Sequence, residues 1–248
     1  IMYAPILVLI LFSFTNTKLL GNWNGFSLHH YKALFRDKEI MTAFANTLIV
    51  AVSSAFVATV LGTLGAIGIF YSSKRTKAIM ESIGQIPVMN AEIVTALSLT
   101  ILFVFAGAKF NFLTLLAGHV VLTVPFVVLS VRPKLVQMDP NIYEAALDLG
   151  ASPEKALRKI IIPEIMPGVF SGFILAITLS FDDYIITAFT RDTAFQTLST
   201  YVYGVTSKKG TLPPSLRALT TVITLLALAV LIIVNLKNNN TQKEKERK

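Results

Sequence analysis

The sequence predicts an all-α membrane protein that crosses the bilayer six times. Three observations carry that expectation. Apolar residues make up 54% of the 248-residue chain and charged residues only 15%, with a mean hydropathy of +0.66. The apolar residues fall in runs near the roughly 20 residues that a membrane helix needs. The charges gather in the short segments between those runs. No room is left for a large soluble domain. The net charge of +8 does not indicate nucleic acid, because the basic residues are spread over loops and the tail. Cysteine is absent, which excludes disulfides, thiolate metal sites and Cys nucleophiles.

The six spans are expected near residues 1–15, 42–70, 79–106, 112–131, 167–190 and 216–236. The first run, Ile1 to Phe14, is too short to cross. It has no basic leader and no small-residue cleavage site. It reads as the back half of a first helix, with residues upstream of it. The loop 16–41 follows, and its adjacent His29 and His30 lack a third ligand at metal-binding spacing. Span two carries Ser54, Ala58, Gly62 and Ala66 four apart, a small-residue stripe that lets another helix approach closely. Pro87 and Pro125 fall within spans three and four, where each removes a backbone hydrogen bond and favours a kink. The tail 237–248, KNNNTQKEKERK, is of low complexity and reads as disordered.

Orientation follows from the basic residues. The turn 71–78, the loop 132–166 and the tail hold thirteen Lys and Arg, against nine in the other loops. Under the positive-inside rule, the loop 132–166 and both termini are cytoplasmic.

That loop is polar where the rest of the chain is apolar. Residues 144–168, EAALDLGASPEKALRKIIIPEIMPG, hold charges, three prolines and two helix caps. Asp139-Pro140 opens one helix, and Gly150 closes it near Leu149 in the left-handed conformation that glycine tolerates. Ser152-Pro153-Glu154 opens a second helix, which Pro163 should end near Ile162. Ile142, Ala145, Ala146 and Leu149 make a shallow apolar stripe on the first helix, with Glu144 and Asp148 on another face. This pattern suits either docking in a partner's groove or an amphipathic connector on the lipid. The acids disfavour an anionic lipid surface.

Three carboxylates lie within the spans, where acids are costly and usually functional. Glu92 lies thirteen residues into span three, and Asp182, next to Asp183, fifteen into span five. At 1.5 Å per residue both depths are roughly 20 Å, so the groups should lie at similar height. With no intramembrane Lys or Arg beside them, they suit a multivalent organic cation. Tyr184 and Phe181 offer aromatic faces to ammonium groups, and Ser180 and Asn90 offer hydrogen bonds. A plainer reading has Asp182 and Asp183 only breaking or capping a helix. Neighbours on a helix point about 100° apart, so one of the two could face the path alone.

Glu144-Ala145-Ala146, Gly150, Ile160 and Ile162-Pro163 resemble the EAA loop of bacterial ABC importer permeases. The family has Leu-Pro where this chain has Ile162-Pro163. The resemblance implies a type I ABC importer permease fold of the MetI-like kind. It also implies that Glu144, Ala145, Ala146, Gly150 and Pro163 form or frame a coupling helix seated in the ATPase subunit. No GxxxxGK[ST] sequence is present, so ATP hydrolysis belongs to a separate chain. This subunit is then a transport component without catalytic residues, cofactor or metal. The stretch FDDYIIT after the loop, the acid following Pro87 and the early YAPI at Tyr3–Ile6 resemble the second permease of spermidine/putrescine importers over nearly the whole chain. Glu92 stands where relatives often have Asp. The resemblance implies a polyamine substrate at Glu92, Asp182, Asp183, Ser180 and Tyr184. It implies a homologous permease as heterodimer partner, an ATPase dimer, an extracytoplasmic polyamine-binding protein, and a place in the bacterial plasma membrane among lipid.

Rival readings fare less well. An intramembrane aspartyl protease needs two carboxylates on facing helices sharing a proton, and Asp182 and Asp183 are neighbours. A proton-coupled secondary transporter usually shows repeated halves with paired broken helices. An anionic substrate would want basic residues or helix N-termini in the path. Trp23, Phe26, Tyr31, Tyr201 and Tyr203 in the external loops fit either a binding-protein interface or the aromatic belt of the membrane.

Overall fold

The computed structural model describes residues 4–17, 23, 25–139, 141–209, 214–225 and 228. Among these residues the chain is helical, apart from one isolated antiparallel bridge between Thr15 and Phe26. Tyr3, Pro140, most of the last span beyond residue 225 and the tail 237–248 lie outside the described residues. The chain forms two compact units, Ile1–Thr42 with Tyr201–Lys248, and Ala43–Thr200.

The first unit holds α1 (Ala4–Ser13), α2 (His29–Arg36) and a helix over 214–225. Phe14 organises the loop between α1 and α2. Its ring stacks on Phe26 at 5.6 Å and lies 5.3 Å from Tyr31. The Tyr31 hydroxyl meets Ser13 Oγ at 2.8 Å. These loop aromatics therefore serve local packing, while Trp23 and Phe26 also stay exposed. Arg217 is buried and donates to the Thr17 carbonyl.

The helix α3 (Lys38–Phe70) starts where the Asp37 carboxylate accepts the N–H groups of Glu39 and Ile40. In the second unit its small-residue stripe is buried, with Gly62 against α6 (Phe112–Gln137) and Ser54 bonded to Ser180. A Cβ on Gly62 would come within 2.7 Å of Val127, so this stripe is a packing face. Asn111 and Thr114 form a capping box at the start of α6. The helix then runs through Pro125 and Pro133 without ending at either, although each removes a backbone hydrogen bond from its interior. It packs along α9 (Ile162–Asp182). There Gly168 and Gly172 sit so close to Ser130, Val131 and Val127 that a Cβ would meet them at 2.9–3.3 Å.

The helix expected over 79–106 is two helices, α4 (Lys74–Met89) and α5 (Glu92–Phe105), bent by 105° at Asn90-Ala91. Pro87 lies near the end of α4, three residues before the extended Asn90. The reckoning of Glu92's depth along one straight helix therefore does not apply. The span expected over 167–190 is also broken. α9 ends at Asp182, Asp183 is extended (φ −61°, ψ 131°), and α10 (Ile185–Thr190) follows before α11 (Leu198–Lys209).

The polar loop folds as two short helices, α7 (Ile142–Asp148) and α8 (Pro153–Ala156). Asp139 Oδ1 accepts the Asn141 N–H and steadies the approach to α7. Gly150 has φ +83°. Its N–H bonds to the Leu147 carbonyl and that of Ala151 to the Ala146 carbonyl, the paired ending of a Schellman motif. Ser152 caps α8 through the Lys155 N–H. Pro163 does not end the second helix. A π-helical turn over Leu157–Ile161 carries the chain from α8 into α9, and Pro163 takes the first turn of α9. The wider turn, with Ile162 N–H bonded to the Leu157 carbonyl, accommodates a residue that cannot donate.

Among the described residues, three helices are long and apolar enough to cross a membrane: Lys38–Phe70, Phe112–Gln137 and Pro153–Asp182. The bent pair α4–α5 makes a fourth if it counts as one broken span.

Candidate functional site

The acidic site is built from the two helix breaks. Glu92 is the first residue of α5, just past the bend. Asp182 is the last residue of α9, just before its own break. The segments beyond the breaks, α5 and α10, pack on each other. Ala96 and Ile186 are buried at that contact, and Thr100 Oγ1 donates to the Phe189 carbonyl at 3.0 Å. The pairing of Ala96 with Ile186 and of Thr100 with Phe189 runs in the same chain direction, so Glu92, at the start of α5, and Asp182 and Asp183, just before α10, lie at the same end of this contact. Glu92 and Asp182 are exposed, as are Asn90 and Ala91 at the bend. Among the described residues, no Lys or Arg forms an ion pair with these three acids.

Asp183 differs from its neighbour. Its side chain is 1% exposed. The carboxylate accepts the Ile186 N–H at 3.2 Å, and the Thr187 N–H and Oγ1–H at 2.8 and 2.9 Å. It thereby satisfies free donors in the first turn of α10. The Asp183 carbonyl accepts from Ser199 Oγ at 2.6 Å. Ser180 is also buried, between Ser54 Oγ at 3.0 Å and His119 Nδ1 at 2.7 Å. Tyr184 is half-buried in the break, and Phe181 packs edge-on to Phe44.

His119 is the residue that the sequence reading missed. It lies on α6 at 1% exposure. Its Nε2 meets Thr187 Oγ1 at 2.9 Å and lies 3.7 Å from Asp183 Oδ2. The available signals were a lone histidine inside a long apolar helix, and Ser180 and Thr187 seven residues apart. Among the described residues, no three His, Asp or Glu side chains gather in a metal-binding group, the adjacent His29 and His30 included.

On the polar loop, Glu144, Ala145, Asp148 and Leu149 are exposed. Leu149 has 90% of its surface free. Ala146 turns inward, and Ile142 and Tyr143 pack on the α6–α9 core. The expected apolar stripe is thus divided between the protein's own core and the outside. Gly150 and Pro163 are exposed. A separate apolar cavity of about 470 Å³ lies between α3, α4 and α6, and none of the three acids lines it.

Comparison with known proteins now gives the class. The model for "binding-protein-dependent transport system inner membrane component" matches residues 58–240. The spermidine/putrescine transport system permease protein PotC of Escherichia coli (strain K12) is 35% identical over 231 residues, covering 93% of this chain and 87% of the relative. PotC of Haemophilus influenzae is 33% identical over 242 residues, covering 96% and 93%. The putrescine transport system permease protein PotI of Escherichia coli (strain K12) is 34% identical over 233 residues, covering 90% and 81%. Among solved structures, a bacterial ABC transporter involved in the import of the acidic polysaccharide alginate aligns with a TM-score of 0.70 at 14% identity, covering 95% of this chain and 90% of that one. An amino acid ABC transporter with histidines aligns with a TM-score of 0.59 at 18% identity, covering 84% and 97%. At such identities the structures speak for the fold, which is that of an ABC importer permease. The chain belongs to the family of inner-membrane components of binding-protein-dependent transport systems. It is a membrane transport component, not an enzyme.

Proposed function

We propose that the chain is the polyamine-conducting permease of an ABC importer, with spermidine or putrescine as its substrate. The observation that carries this reading is the placement of Glu92 and Asp182, exposed and, among the described residues, without a Lys or Arg ion pair, at the breaks of two helices whose following segments pack together. Broken helices are a recurrent way to build a transport site within a membrane protein, and paired carboxylates attract a multivalent ammonium chain. Tyr184 supplies an aromatic face. Ser180 and Asp183 stand behind this surface and hold its shape. The polyamine permeases among the relatives support the substrate class.

In this reading the chain crosses the membrane six times with both termini in the cytoplasm. Residues 42–236 form the permease domain. A homologous permease completes the path, two ATPase subunits drive it, and an extracytoplasmic binding protein delivers the substrate. The surface of Glu144, Ala145 and Gly150 docks on the ATPase, with Ala146 and Pro163 anchoring the loop.

The test is radiolabelled spermidine uptake in polyamine-starved cells that carry the whole transport system. Asp182→Asn and Glu92→Gln should each abolish most uptake while the complex still assembles. Normal uptake in both would remove the carboxylates from the path. Absence of polyamine uptake in the unaltered complex would leave an ABC permease with a different substrate.

A further inference from the structure

We propose that His119 is a positioning residue for transport: it bridges the break between α9 and α10 and so sets where Asp182 and Tyr184 stand. The proposal rests on the substrate-site reading above. The geometry is a strut from α6 across the gap. Nδ1 reaches Ser180, in the last turn of α9, at 2.7 Å, and Nε2 reaches Thr187, in the first turns of α10, at 2.9 Å. Ser54 bonds to Ser180 before the break and Ser199 to the Asp183 carbonyl at it, whereas His119 bonds to side chains on both sides. The polar chain continues to α3 through Ser54 and to the buried Asp183 through Thr187.

The break needs such a tie. At Asp183 the backbone leaves the helix, so the α9 ladder does not fix α10. Apolar packing of α10 against α5 is non-directional and permits small slides. Hydrogen bonds from a buried ring of fixed shape hold direction as well as distance. α6 is suited to bear the ring, because glycines in α9 let those two helices pack closely below the break. α6 also leads directly into the polar loop. A displacement of the α6–α9 hairpin would therefore reach α10 through His119. The residue touches no substrate in this account; it acts through Ser180 and Thr187.

The experiment uses the complete complex in proteoliposomes, with liganded binding protein and ATP. His119→Ala is expected to lower spermidine uptake about tenfold, the scale set by loss of buried polar partners. ATP hydrolysis stimulated by the binding protein is expected to fall much less, so transport per ATP drops. His119→Gln, which can return a donor and an acceptor, should recover a large part of the loss. Should His119→Ala not assemble, Thr187→Val and Ser180→Ala each remove one bond of the strut and should give the same drop in transport per ATP. The chain contains no cysteine, so a single Thr190→Cys is the only thiol of this subunit, and its labelling is read on the separated permease band. Thr190 has no exposed surface, and His119→Ala should raise the labelling rate of that thiol by a water-soluble maleimide several-fold. Unchanged labelling, or wild-type transport per ATP in His119→Ala or in both single-bond variants, overturns the proposal. If the unaltered complex moves no spermidine while labelling still rises, the strut stands and the polyamine reading falls.

Discussion

Gly118, beside His119 on α6, provides a sensitive probe of how tightly α10 is held. A Cβ at this position would lie 2.8 Å from Ile186 Cγ2 and 3.1 Å from Thr190 Oγ1. Comfortable carbon contacts begin near 3.5 Å, so Gly118→Ala requires α6 and α10 to separate by about 0.7 Å. Taken along the His119–Thr187 bond, now 2.9 Å, that shift gives about 3.6 Å, beyond hydrogen-bonding distance. Two effects oppose each other. Alanine improves helix propensity by about 1 kcal/mol, whereas overpacking a filled contact costs about 1–3 kcal/mol. The clash is with a fully buried side chain on another helix, so the loss should win by up to about 2 kcal/mol. The assay is thermal unfolding of the purified complex, followed by uptake. Ile186→Leu moves the branch away from Cβ at nearly constant volume and should recover part of the stability lost in Gly118→Ala. A single variant as stable and active as the parent, or a double variant no better than the single, would refute this account of the contact.

Other expectations are simpler. Gly150 at φ +83° should tolerate asparagine better than alanine, and Gly150→Ala should cost about 1–2 kcal/mol of loop stability, seen as reduced protection in hydrogen exchange over α7. Asp183→Asn keeps the shape but removes the charge and one acceptor from the cap of α10. It should lower thermal stability by about 1–3 kcal/mol, whereas Asp182→Asn, on an exposed carboxylate, should leave the melting temperature near that of the parent while uptake is lost. The Arg132–Glu81 pair, 2.8 Å apart and partly exposed, should contribute no more than about 1 kcal/mol, so Glu81→Gln should shift the unfolding midpoint only slightly.

The helical class and the polar loop were legible because their signals are local. Gly150, Ser152 and Asp139 act within a few residues of themselves, through a positive φ or a side-chain cap. The small-residue stripe on α3 was legible for a similar reason: four small residues at one spacing leave a groove whatever fills it. The prolines were less informative. Pro87 and Pro125 have the same local chemistry, yet a bend follows Pro87 closely and α6 continues through Pro125. Tertiary packing decides between these outcomes, since α6 is clamped by α3 and α9 over much of its length. Pro163 was misread because the expectation weighed only two choices, helix or stop. A π-helical turn placed before the proline is a third.

The acids show how a correct location can hide a difference in kind. Asp182 and Asp183 are adjacent and chemically identical, and a helical wheel can only say that they point apart. The break between them separates their roles. Asp182 completes α9 and remains exposed, while Asp183 is turned inward by the donors that α10 presents. Burying a carboxylate is costly unless it is fully hydrogen-bonded, and the Thr187 and Ile186 groups meet that requirement at one position only. In the proposed reading the charge facing the path is therefore carried by Glu92 and Asp182. In the same reading Asp183 and His119 hold the geometry of the break behind them. Mutating all three acids and finding that each abolishes uptake would not distinguish binding from support. The distinction lies in stability, where Asp183→Asn should lower the melting temperature and Asp182→Asn should not. Equal melting temperatures for the two variants would contradict the division of labour.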